Sequence, residues 1–199
     1  MARRAVAEAL GMALLLAAVV GSGIMGERLA AGNVAIALLA NTIATGAALV
    51  ALILALGPIS GAHLNPAVTL ADAWQGGLAW RDVPIYLTAQ IGGAFSGVAT
   101  AHLMFNEPLF SASRHVRAGN AQLFSEFVAT FGLLSIIWGC ARLRPPTVAF
   151  AVGAYITAAY WFTSSTSFAN PAVTLARAAA TSLFRWLVPH PQPENNHGR

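Results

Sequence analysis

Seven residues near the middle of this chain return unchanged near its end. Asn65-Pro66-Ala67-Val68-Thr69-Leu70-Ala71 recurs as Asn170-Pro171-Ala172-Val173-Thr174-Leu175-Ala176, the second Asn standing 105 residues (170 − 65) after the first. A repeat on this scale points to an architecture made of two related halves. Each copy also carries the chemistry of a helix start. Asn serves at the N-cap, where its side-chain oxygen accepts a backbone hydrogen bond. Pro serves at the first helical position, where no donor is needed. A small-residue loop (57–64 and 163–169) precedes each copy, and an apolar run precedes each loop. Two capped short helices set into long apolar segments are a way to build a polar site inside lipid.

Composition places those halves in a membrane. Hydrophobic residues make up 57% of the 199 residues and charged residues 9%, with a mean hydropathy of +0.64. A soluble domain carries about 25% charge. There is room for a single domain, 1–199. The net charge of +4 comes without any Lys, and the Arg residues form no basic stripe, so a nucleic-acid partner is not expected. Cys140 stands alone in an apolar run, no His/Cys spacing suits a metal, and no nucleophile is paired with a base. Neither a cofactor, a metal nor catalysis is expected. Arg3-Arg4 ahead of an apolar stretch has the outline of a signal peptide, but Glu8 and the length of the run (5–24) favour a retained first span.

The chain then reads as five spans, at about 5–25, 34–56, 83–105, 122–140 and 147–162, with half-helices at about 67–74 and 172–182. Gly57-Pro58 is expected to break the second span, and Gly76-Gly77 to end the first half-helix. Small residues in Ala89-Gln90-Ile91-Gly92-Gly93-Ala94 allow close helix contact. A polar stretch, 106–120, joins the halves. Arg3, Arg4, Arg81, Arg142 and Arg144 fall on one side and Arg28, Arg114 and Arg117 on the other, which favours a cytoplasmic N-terminus.

Ser60-Gly61-Ala62-His63-Leu64-Asn65-Pro66-Ala67-Val68-Thr69 resembles the signature of the aquaporin and glycerol-facilitator family, and with its second copy the resemblance covers about residues 5–182. It implies an all-α membrane protein with an aquaporin-like inverted repeat, each half giving three spans and one re-entrant half-helix. The first repeat would be about 5–105 and the second about 122–184. After Phe184 the chain turns polar and carries Pro189, Pro191 and Pro193. A crossing helix needs about 20 apolar residues, so the expectation is five spanning helices, a missing sixth span and a polar tail at 185–199.

The resemblance also implies roles. Asn65, Pro66, Ala67, Asn170, Pro171 and Ala172 would form the pore motif. Thr45, Ala158, Ser167 and Val173 would take the four selectivity-filter positions, and Glu8, Glu126 and His63 would brace the re-entrant loops. Both Glu residues lie near span ends, where a carboxylate can also snorkel to the interface. Most family members carry Arg where this chain has Val173, and the Val resembles a divergent bacterial branch associated with arsenic resistance. Arg177, one turn later, is expected at the surface or among lipid headgroups. The implied function is a passive channel for small uncharged solutes, namely water, polyols and arsenite as neutral trihydroxy arsenic. Its setting would be a bacterial-type inner membrane, with assembly as a homotetramer if the chain is complete. A truncated, non-conducting or assembly-only member is the alternative. A secondary transporter fits less well, because no ion-pair relay lies in the spans.

Overall fold

The computed structural model describes residues 1–108, 119–166 and 169–178. These form seven α-helices: α1 (Ala2–Leu29), α2 (Val34–Ser60), α3 (Pro66–Trp74), α4 (Val83–Phe105), α5 (Asn120–Leu143), α6 (Val148–Phe162) and α7 (Pro171–Ala178). Short 3-10 turns at Trp80–Asp82 and Pro145–Thr147 lead into α4 and α6. Three helices, α1, α2 and α5, are long and apolar enough to cross a membrane. The stretch after residue 178, where a sixth span is expected to be missing and a polar tail to follow, lies outside the described residues, as do Ser167 and most of the linker between the halves.

Each boundary has a local cause. Asn33 caps α2 by accepting from the N–H groups of Ala35 (3.1 Å) and Ile36 (3.2 Å). The expected break at Gly57-Pro58 does not occur, since α2 runs through Pro58 to Ser60. Proline there forfeits the bond its own N–H would make to the Leu54 carbonyl and crowds that carbonyl, a cost confined to the last turn of the helix. The stop comes at Gly61, which is left-handed (φ 88°) and returns its N–H to the Gly57 carbonyl. Such a left-handed glycine satisfies an end carbonyl of the helix without a Cβ penalty. α3 ends as expected ahead of Gly76, whose φ of 82° suits glycine.

Packing is led by α1, which lies against α4 and then α2. Met12, Leu16, Val20, Val98 and Ala101 are fully or nearly fully buried between these helices. Close approach depends on Gly93 and Gly97 of α4. A Cβ on Gly93 would stand 2.9 Å from the Ala9 carbonyl carbon, and one on Gly97 would stand 2.8 Å from the Leu16 Cβ. Gly92, beside them in sequence, has nothing within 4 Å of its would-be Cβ. In the second half, Gly153 of α6 meets Gly46 of α2, whose carbonyl would lie 2.7 Å from an added Cβ. The outward face of α5 carries Phe124, Phe127 and Phe131 as a ladder of stacked rings (centroids 6.5 and 6.1 Å apart), a surface suited to lipid.

Candidate functional site: a cavity centred on two asparagines

α3 and α7 meet end to end at their N-termini, and the two Asn residues make the junction. Asn65 Oδ1 accepts from the Ala67 N–H at 2.9 Å, while Asn65 Nδ2 donates to the Ala169 carbonyl at 2.6 Å. Asn170 does the reciprocal: its Oδ1 accepts from Ala172 (3.1 Å) and Val173 (3.4 Å), and its Nδ2 donates to the Leu64 carbonyl at 2.8 Å. Each side chain therefore caps its own half-helix and grips the residue preceding the other Asn. Those two residues share an unusual backbone, Leu64 having a φ of 47° and Ala169 a φ of 43°. A non-glycine residue in the left-handed region costs on the order of 1–2 kcal/mol. Here that conformation accompanies a carbonyl that receives the opposite amide.

The first loop is held from beneath by a buried carboxylate. Glu8 has no solvent exposure and accepts four bonds: from Ser60 Oγ (2.6 Å) and the His63 N–H (3.0 Å) at Oε1, and from the Leu64 N–H (2.8 Å) and Gln90 Nε2 (2.8 Å) at Oε2. It is buried among donors, so it does not snorkel. Gln90 Nε2 also reaches Thr69 Oγ1 at 2.9 Å, and Tyr86 OH donates to the Ser60 carbonyl at 2.7 Å. His63 sits 3.2 Å from Thr69 Oγ1 through Nδ1 and 3.5 Å from Asp72 through Nε2. In the second loop Glu126 Oε2 accepts from the Ala169 N–H at 2.8 Å, and Ser125 Oγ accepts from the Ser164 N–H at 2.9 Å. A re-entrant loop has no ladder partners of its own, so its backbone needs acceptors such as these.

A cavity of about 410 Å³ passes the asparagine pair. One end is lined by Arg4, Asp72, Gln75 and Arg142, and the loop from Ser60 to Leu64 follows. Asn65, Asn170 and Val173 line it further in, and Thr45 and Tyr160 lie at the far end of α2's and α6's stripes. The stretch of α2 from Ser60 back to Thr45 rises about 22 Å at helical pitch. The remaining walls are apolar: Leu49 and Ile53 on α2, Leu133 and Ile137 on α5, and Val148, Val152 and Ile156 on α6.

Of the four filter positions carried over from the resemblance, Thr45 and Val173 line this cavity and are buried. Ala158 is exposed and does not line it; the α6 stripe on the wall is Val148, Val152, Ile156 and Tyr160. Two residues along a helix is a turn of roughly 200°, so Ala158 faces away from the stripe that holds Ile156 and Tyr160. Arg177 corrects another expectation. It is buried, at 5% exposure, in a half-helix that packs on α4, rather than lying at the surface. Gln90, Tyr86 and Tyr160 were not singled out from sequence. A polar glutamine inside an apolar span was the available signal, since such groups are rarely without a partner.

Comparison with known proteins bears on the family and the fold. The family model for major intrinsic proteins matches residues 1–145. An aquaglyceroporin, AqpS of Rhizobium meliloti (strain 1021), is 56% identical over 191 residues, covering 96% of this chain and 81% of that protein. The chain belongs to the major intrinsic protein family. A plant member, aquaporin NIP6-1 of Arabidopsis thaliana, is 32% identical over 190 residues, covering 92% of this chain and 61% of its own length. In fold, the chain is similar to the X-ray structure of the aquaglyceroporin from Plasmodium falciparum, with a TM-score of 0.74 at 22% identity over 88% of this chain and 78% of that one. This major intrinsic protein is therefore an all-α membrane protein of the aquaglyceroporin fold.

Proposed function

We propose that the cavity is the conducting path of a passive channel for small uncharged solutes, namely water, polyols and arsenite as neutral trihydroxy arsenic. The observation that carries this reading is the reciprocal exchange between Asn65 and Asn170. An amide offers two N–H donors. One of each is committed to the opposite loop (2.6 and 2.8 Å), leaving the other for a passing solute. Backbone carbonyls of loop 61–64 supply acceptors, and the apolar walls keep binding weak enough for release. A polar group left unsatisfied at the bilayer centre costs several kcal/mol, so these partners replace lost water.

The field at the junction opposes cations. Two half-helix N-termini converge there, each carrying roughly half a positive charge. With Val173 in place of a filter Arg, charge rejection rests on those termini, and the site stays open to bulkier neutral solutes. The 56% identity with a protein described as an aquaglyceroporin supports a pore for water and polyols. Arg4 and Arg142 both line the cavity, which supports placing that end of it and the N-terminus on the cytoplasmic side of a bacterial inner membrane. The family resemblance supports a homotetramer.

The test is stopped-flow light scattering on reconstituted protein, with water, glycerol and arsenite run in parallel. Permeabilities well above those of empty vesicles are expected for water and at least one of the two solutes. Values equal to empty vesicles for all three would overturn the channel.

A further inference from the structure

Beyond Ser60 at the loop end of α2, the wall stripes of α2 and α6 are apolar along the cavity except at one rung. On α2 the stripe is Thr45, Leu49 and Ile53, and on α6 it is Val148, Val152, Ile156 and Tyr160. The two polar members are the last of their stripes, and they meet: Thr45 Oγ1 and Tyr160 OH lie 3.2 Å apart. Both side chains are buried, at 4% and 5% exposure, and both face the cavity. Their meeting depends on the neighbouring Gly46–Gly153 contact, which brings the two helices close enough for a tyrosine on one to reach a threonine on the other.

We propose that Tyr160 is a specificity-determining residue of the pore, acting with Thr45 as a hydroxyl pair that selects for small hydroxylated solutes. The inference rests on the channel reading above and adds to it a residue outside the four filter positions. A hydroxyl has one donor and two acceptor lone pairs. When one member of the pair donates to the other, the second member keeps its own proton for a solute, and both keep acceptor capacity. Val173, on the same cavity, offers only an apolar side chain. The pair thus supplies hydrogen bonding to a cavity that has Val173 in place of a guanidinium, and does so without adding charge. The phenol ring fills space as well, so Tyr160 sets width and polarity together.

The test measures glycerol and water permeability in the same proteoliposomes for the full chain and for Tyr160→Phe, Thr45→Val and the double variant. Tyr160→Phe keeps the ring and removes the hydroxyl. The expected result is a glycerol-to-water ratio lowered by about three- to tenfold, the effect of one lost hydrogen bond. Thr45→Val is expected to lower it similarly, and the double variant by less than the product of the two, because the hydroxyls act as one unit. Thr45→Ser should restore the ratio. Tyr160→Ala, which removes the ring, should raise the flux of a five-carbon polyol relative to glycerol. A pair that merely tied α2 to α6 would lower thermal stability and both fluxes together without moving the ratio. If the unaltered protein conducts glycerol and Tyr160→Phe leaves the ratio unchanged, the role given to Tyr160 is overturned while the channel stands. If the unaltered protein passes neither water nor glycerol, the channel reading falls first and this inference with it.

Discussion

At the scale of single residues, the pore loops show how much backbone polarity must be satisfied inside a membrane. Glu8 receives two loop N–H groups, a serine hydroxyl and the Gln90 amide on one carboxylate. Glu8→Gln would replace one acceptor oxygen by a donor facing other donors. Each buried group left unpaired costs about 1–3 kcal/mol, so this variant should melt well below the unaltered protein in detergent. Thermal unfolding followed by size-exclusion chromatography would check it, and an unchanged melting point would contradict the bracing role. Leu64 offers a second test. It is 2% exposed and left-handed, with its carbonyl held by Asn170. Leu64→Ile conserves volume but places a β-branched side chain where φ is positive, a costly combination. It should lose roughly 1–3 kcal/mol of stability, whereas Leu64→Met should lose less than about 1.5 kcal/mol. Equal losses in the same melting assay would mean that backbone conformation is not the deciding factor there.

Helices in this protein approach one another through glycines placed at contacts, and neighbouring glycines differ in what they do. Gly97 faces the α1 backbone, where an added Cβ would lie 2.9 Å from the Ala13 carbonyl carbon. Gly92, on the same helix, faces open space. Gly97→Ala should therefore force α1 and α4 apart and cost about 1–3 kcal/mol, the range for overpacking. Gly92→Ala should leave stability unchanged or raise it by up to about 1 kcal/mol through helix propensity. The two melting temperatures should move apart. If they moved together, the α1–α4 contact would not be the tight one described. Gly153 and Gly46 hold the corresponding place between α6 and α2, which makes the Thr45–Tyr160 pair a product of helix spacing as well as of residue type.

Across the whole molecule, conduction depends on a buried cavity in which no single element supplies all the walls. Val173 lines it at 6% exposure, close to Asn170. Val173→Arg would insert a long cationic side chain into that space, narrowing it and adding fixed positive charge. Flux of arsenite and glycerol should fall more than flux of water, and any leak of protons or small cations should fall too. Stopped-flow scattering with vesicle-entrapped pH dye would report both. An equal reduction for every solute would indicate simple obstruction instead of a change in selectivity.

Much of this was legible in the chain alone, and for a physical reason. The bilayer imposes length and apolarity on each span, and Asn-Pro with its small-residue loop is a local code for a capped half-helix, so spans and half-helices could be read from short windows. Glu8 and Glu126 were likewise visible as departures from an apolar background, Asn65 and Asn170 through the exact repeat, and Val173 only through the family resemblance. What tertiary structure decided was partnership and facing. That Asn65 grips Ala169 while Asn170 grips Leu64 depends on two segments more than a hundred residues apart meeting end to end. Pro58 reads as a break in sequence, yet the helix continues, because only the left-handed Gly61 supplies a terminating cap. Counting back from Asn170 selects Ala158, whereas the side of α6 that lines this cavity carries Tyr160, since the rotation of a helix about its axis is set by its neighbours. Arg177 reads as a surface or headgroup charge from its place one turn along the half-helix and is buried by packing. Residue chemistry and periodicity act over a turn or two of helix, so they determine what each segment is. Which side of it meets the pore is settled only when the helices pack.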